Sequence, residues 1–265
     1  MSMMTQYNQR ADRIGAWVLR GVVGVRHFVQ LFLGVVQVWV RMRWLARPAV
    51  INVLIRQLYF TGVQSLRWIV LLSCLVGVAA VYNIAVFARS VQDLSLIGRL
   101  VNGLLVQEVA PMLVAIFLLM RSGVAVVTEV GHMQARGEEL FLRSLGISFY
   151  EYIYLPRVLA FSLCGLILSF IFVVLSIWVG GLVLSWMHIL NLSEFFVEVQ
   201  RGSNFSELVS MVLKGILYPM LSCLFLIDRG RTVGTDPNQI PIRVSSGVLG
   251  AMMLLLTLDS LWVLL

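Results

Sequence analysis

Lysine is almost missing from this sequence, and its one occurrence, Lys214, lies inside an apolar run. A nucleotide-binding loop of the form G-x-x-x-x-G-K-[ST] needs a lysine behind a glycine-rich turn, whereas Lys214 follows Val-Ser-Met-Val-Leu. The chain therefore does not itself hydrolyse ATP. Cysteine is scarce too: Cys74, Cys164 and Cys223 all fall in apolar runs, without C-x-x-C spacing or nearby histidines. They read as small apolar filler, not as a disulfide framework or a metal site. No H-E-x-x-H or Cys/His cluster supports zinc chemistry. His27, His132 and His188 sit outside or at the ends of apolar runs, so no histidine is available to a serine at membrane depth. A membrane enzyme is a poor fit.

Charge is the next deficit. Only 12% of the 265 residues are charged, about half of what a soluble chain carries. In its place the sequence is 60% hydrophobic, with a mean hydropathy of +0.92. Apolar runs of this length surrounded by lipid must satisfy their backbone internally, which makes them helices. The net charge of +7 is almost all arginine and gathers at the ends of the runs, where it sets orientation. With no basic stripe interleaved with aromatics, nucleic acid is not an expected partner.

The first twelve residues are polar. Between Arg13 and Arg47 one clean apolar run remains, Phe28 to Val40. Its thirteen residues would span roughly 20 Å, short of the ~30 Å hydrocarbon core. It reads as an interfacial helix anchored by Trp39, Trp44 and arginines, ended by Pro48, and followed by an amphipathic elbow from Val50 to Arg67. Arginines interrupt the apolar part and no small-residue cleavage pattern follows, which argues against a secretory signal.

Five runs have spanning length: Trp68 to Ala88, Leu100 to Met120, Val158 to Met187, Leu208 to Ile227 and Val244 to Leu265. The third is longer than a perpendicular helix needs, so it is expected to tilt, kink near Gly180 and Gly181, or project beyond the bilayer. The chain thus divides into an N-terminal part, residues 1–67, and a spanning part, residues 68–265. Sixteen arginines fall on one set of connections and three on the other, which places the N-terminus in the cytoplasm and the C-terminus outside. The outer connection from His188 to Glu207 is acidic and could hold a short helix. No internal repeat is visible, which weakens a transporter built from inverted halves.

The polar segment Arg121 to Arg157 is the most informative connection. Arg121, Arg136, Arg143 and Arg157 balance Glu129, Glu138, Glu139 and Glu151. Glu139 and Arg143 stand at i,i+4 in the order that supports a short helix, while Gly131, Gly137 and Gly146 mark turns or close approaches. This reads as a docking surface for a soluble protein.

Three ionisable residues lie inside spans, where a charge costs at least ~2.5–3.5 kcal/mol on insertion scales. Glu108 follows Gln107 and precedes Pro111; it is either a polar point in a substrate cavity or a paired acid holding two helices together. Lys214 either snorkels or pairs with an acid. Asp259 caps or pairs near the outer end of the last run. Tyr82 and Asn83 suit an interfacial belt, and could also line a mouth.

The segment resembles the MlaE (YrbE) permease family, whose pattern runs approximately G-R-x-G-x-x-x-x-E-[LI]-G-x-M, then A-L-x-x-[ML]-G, then Y-L-x-x-P-R. Arg121, Gly123, Glu129, Gly131, Met133, Leu145, Gly146, Pro156 and Arg157 fall on it without a gap. Upstream, Gln107 to Pro111 resembles the family's R-E-L-G-P, with Gln107 in the basic position, and the likeness covers roughly residues 45–265. The resemblance implies an all-α membrane protein with an N-terminal interfacial helix and five transmembrane helices. It also implies a cytoplasmic coupling helix between the second and third spans.

By the same resemblance the chain is the inner-membrane permease subunit of an ABC transporter that moves phospholipids between inner and outer membranes and maintains outer-membrane lipid asymmetry. Implied partners are a separate ABC ATPase subunit that uses the ATP, a periplasmic MCE-domain protein and a second copy of the chain; no cofactor is implied for the chain itself. The ATPase would meet Glu129, Gly131, Met133, Glu138, Glu139 and Arg143. Tyr82, Leu105, Gln107 and Glu108 would line the lipid cavity. A membrane scaffold related to such permeases, no longer transporting, is the alternative.

Overall fold

The computed structural model describes residue 26 and residues 28–40, 47–93, 95–234 and 236–264. The polar first twelve residues, the stretch from Arg13 to Val25 and the expected anchor Trp44 lie outside the described residues. Among those described, eight helices occur: α1 Phe28–Val40, α2 Pro48–Ser90, α3 Ser95–Ala135, α4 Glu138–Ser144, α5 Tyr150–Trp186, α6 Leu192–Arg201, α7 Phe205–Arg231 and α8 Pro237–Val263. Five of them, α2, α3, α5, α7 and α8, are long and apolar enough to cross a membrane. The protein is an all-α, multi-pass membrane protein.

Several elements run further than their apolar stretches. Pro48 opens a helix, and residues 41–46, whose end it was expected to mark, lie outside the described residues. It stands in the first turn of α2, where its missing N–H removes nothing. From there α2 continues unbroken through a wide turn at Tyr59–Val63 to Ser90, so the expected elbow and the first span are one rod of 43 residues, about 65 Å long. Likewise the first half of the polar segment after Arg121 is not a loop but the last turns of α3.

α5 is 37 residues long, about 55 Å, and so projects beyond a bilayer. It passes through Gly180 and Gly181 as one helix. Those glycines serve contact instead: a Cβ at Gly180 would lie 2.5 Å from Val81 of α2, and one at Gly181 would lie 2.7 Å from Phe195 of α6.

α5 is the axis of the bundle. α2 packs along one side of it and α7 along another, α3 leans on α5, α7 and α8, and α8 closes against α7 and α3. In lipid no hydrophobic force draws helices together, so close approach of backbones carries the packing. The α2–α5 seam shows this. The Ser176 hydroxyl donates to the Ser73 carbonyl at 3.0 Å, and a Cβ at Gly77 would meet the Ser176 carbonyl oxygen at 2.5 Å.

Both ends are sealed by local chemistry. At the end carrying α6, the Asp93 carboxylate accepts from the Ser95 hydroxyl at 2.7 Å and its amide at 2.9 Å, which starts α3 and holds that carboxyl below its usual range. Asn204 and Glu207 form a capping box that starts α7. At the opposite end α1 is docked as well as amphipathic. Leu31 and Val35 are buried in the main core, and the Phe28 ring lies 6.4 Å from that of Phe225 on α7.

Candidate functional site

Glu108, Lys214 and Asp259, separated by 106 and 45 residues along the chain, converge into one ion cluster. The Lys214 ammonium is paired to the Glu108 carboxylate and, at 3.1 Å, to Asp259 Oδ1. Asp259 Oδ1 also accepts from the Tyr218 hydroxyl at 2.8 Å. The rings of Trp262 and Tyr218 stand 5.9 and 6.0 Å from the ammonium. Lys214 is wholly enclosed, so it does not snorkel, whereas the side chains of Glu108 and Asp259 keep 25% and 19% exposure. The accessible face of the cluster is therefore carboxylate.

The local cause is visible on α3. Pro111 has no N–H to offer the Gln107 carbonyl, and over Val101–Val109 the helix widens, with the Ala110 amide donating to the Leu105 carbonyl. Such widened stretches re-phase a helix and recur at functional sites. The result turns Glu108 toward α7. One cation with two acids leaves the formal balance negative, and the group ties α3, α7 and α8 together in a setting where an unpaired charge would be expelled.

The other cavity residues expected from the sequence are dispersed. Gln107 is half-buried beside Glu108, Leu105 is enclosed in the bundle at 1% exposure, and Tyr82 is exposed on α2. The arrangement unites Glu108 with Lys214 and Asp259, not with Tyr82.

The second constellation is α4. Gly137, at φ 70°, turns the chain off the end of α3, and Gly146, at φ 71°, ends the short helix; the left-handed region favours glycine at both. No residue of α4 is buried. Leu140 is 72% exposed, Phe141 64% and the following Leu145 58%.

Glu139 does not form the expected pair with Arg143. It turns inward to Arg231 of α7 at 3.9 Å, and the Arg231 guanidinium lies 5.7 and 5.6 Å from the rings of Tyr150 and Tyr154. α4 is thus anchored through its acid and presents its apolar side. Glu138 faces Arg136 at 3.8 Å, and Arg143 stays exposed beside a cleft of about 320 Å³ formed with Glu139 and Tyr150.

Of the remaining residues of the segment, Gly131 and Met133 look inward and Glu129 stays half-exposed. A Cβ at Gly131 would lie 3.0 Å from Val233, and Met133 packs partly into the core. Glu129 bridges to the nearly buried Arg157 at 2.5 Å. They shape the base on which α4 stands. Sequence reasoning missed Leu140, Phe141, Arg231 and Tyr218. The first two carried a readable signal, an apolar pair inside a charged connection; the latter two depend on which helices pack together.

Five spans with a buried ion cluster at one level and a short exposed helix on one connection define a polytopic helical membrane protein. A family profile described as Permease MlaE matches residues 54–265, and the chain belongs to that family. It is 25% identical over 209 residues to the intermembrane phospholipid transport system permease protein MlaE of Haemophilus influenzae, covering 78% of this chain and 79% of the relative. It is 26% identical over 182 residues to a probable ABC transporter permease protein of Synechocystis sp., covering 67% and 68% of the two.

Proposed function

We propose that the chain is the inner-membrane permease subunit of an ABC-type system that moves phospholipids between two membranes and so maintains outer-membrane lipid asymmetry. α4 is its docking point for a separate ATP-hydrolysing subunit. The observation that carries this reading is α4 itself: a helix with no buried residue that nonetheless is pinned to the bundle through Glu139 and Arg231. Exposed apolar side chains on a helix tied to the bundle by an ion pair suit a partner's groove. A push there reaches α7 directly, and α7 carries Lys214. Family membership and the name of the Haemophilus relative, an intermembrane phospholipid transport system permease protein, support phospholipid as the cargo.

In this reading α4 lies in the cytoplasm and α6 faces the periplasm, toward an MCE-domain partner. Two copies pair so that Glu108 and Gln107 on α3 and Tyr82 on α2 face the lipid, with Leu105 supporting them from the core. The test is mass spectrometry of lipids retained by the purified complex, together with its ATPase activity. Retained phospholipid and ATP hydrolysis that responds to lipid are expected. An ATPase that binds without any lipid turnover would instead indicate a non-transporting scaffold.

A further inference from the structure

We propose that Arg67 of α2 and Arg121 of α3 together hold the phosphate of a membrane phospholipid, at the level where both helices enter the apolar span. Arg121 closes one apolar run and Arg67 opens another. Arg121 reaches across to Ser65 and Gln64 of α2, and Arg67 follows Gln64 three residues further along the same helix, so the two cations share one face. Two guanidiniums on one face repel each other, and an anion between them offsets that repulsion.

This chain supplies none. Among the described residues neither arginine has a carboxylate within ion-pair distance, and no acid occurs anywhere from residue 13 to residue 92. Arg121 spends three N–H groups on neutral acceptors: the Phe60 carbonyl at 3.0 Å, the Ser65 hydroxyl at 2.5 Å and the Gln64 carbonyl oxygen at 3.1 Å. A guanidinium has five donors, so Arg121 is fixed in place with donors to spare. The exposed Arg67 has no hydrogen-bond partner among the described residues. Its only contact of this kind is the Trp68 ring, 5.4 Å from Cζ.

The surroundings identify the anion. Phe60, Gln64, Arg67, Leu71 and Leu75 recur at helical spacing on α2. Leu71 is 53% and Leu75 63% exposed, so an apolar stripe leads away from the two cations into the span. That is the outline of a headgroup phosphate followed by an acyl chain, and basic pockets between spanning helices are suited to such headgroups. A second copy meeting this face about a two-fold axis would bring arginine against arginine. A lipid removes the repulsion. The inference concerns a bound membrane lipid and stands whether or not the chain transports one.

The experiment is native mass spectrometry of the full chain released from nanodiscs containing phosphatidylglycerol and diacylglycerol. The unaltered chain should retain phosphatidylglycerol over diacylglycerol. Arg67→Gln should weaken that retention about fivefold, the effect of one basic residue at a membrane surface, while Arg67→Lys keeps most of it. The thermal midpoint of Arg67→Gln should stay unchanged, since the residue makes no hydrogen bond to lose. If that midpoint falls, the reading passes to the unaltered chain, where added salt must weaken retention. Equal retention by Arg67→Gln, or retention insensitive to salt, overturns the proposal. Displacement of the lipid by inorganic phosphate would show a free-anion site and overturn the lipid assignment.

Discussion

Lys214 on α7 and Glu108 on α3 form an ion pair across two spanning helices, with the ammonium wholly enclosed and the carboxylate a quarter exposed. The asymmetry decides how each partner responds to loss. Glu108→Gln leaves Lys214 paired to Asp259 at 3.1 Å, so the protein should still assemble and lose about 1 kcal/mol or less. Lys214→Met removes the enclosed cation from between two partly exposed acids and should cost about 3–5 kcal/mol, the scale for breaking a buried pair. Thermal denaturation of the two variants in detergent checks the order. A Glu108→Gln variant that assembles normally but fails to move lipid would give the exposed carboxylate a role at the cargo as well as in the cluster.

Arg231 ties α4 to the bundle through Glu139, while its guanidinium lies against two tyrosine rings at the start of α5. Arg231→Gln should remove about 1–2 kcal/mol of local restraint. The spans should be unaffected, since the residue stands in the last turn of α7. Hydrogen exchange resolved by segment should show faster exchange over residues 138–144 and the first turns of α5, with the spanning parts of α5 and α7 unchanged.

The α2–α5 seam tolerates no side chain at Gly77, where a Cβ would press on the Ser176 backbone at 2.5–2.6 Å. Gly77→Ala should therefore lower stability by about 1–3 kcal/mol through forced separation of the helices. Gly103, with nothing within 4 Å of a Cβ, is the control: Gly103→Ala should be neutral or stabilising by up to about 1 kcal/mol. Equal effects at both positions would mean the seam is looser than its geometry.

Much of this architecture could be read from hydropathy because lipid leaves the backbone few options: five runs of spanning length became five spanning helices. Ends were harder to read. Pro48 was legible as a boundary but not as the first turn of a 43-residue helix, because proline is as acceptable in a first turn as after a last one. Arg121 looked like the edge of a loop, yet α3 continues through it, since an arginine can be satisfied by the backbone and side chains of a neighbouring helix.

The ion cluster was visible as three separate anomalies. Glu108, Lys214 and Asp259 each stood out by the cost of a charge in a span. Their union depends on the wide turn before Pro111 and on which helices touch, and neither follows from residue order. The i,i+4 pairing of Glu139 with Arg143 was a sound local expectation. A tertiary partner, Arg231 between two aromatic rings, prevailed over it.

The central claim, that α4 is the seat of an ATP-hydrolysing partner, is tested most directly by co-purification with an altered docking face. Charge reversal at Glu139 would disturb the mount itself, so the informative change is Leu140→Asp with Phe141→Asp, two exposed positions whose loss should leave the fold intact. The unaltered chain should bring down an ATPase subunit, and the double variant should lose it at unchanged thermal midpoint. Retention of the ATPase by the double variant, or none accompanying the unaltered chain, would contradict the account.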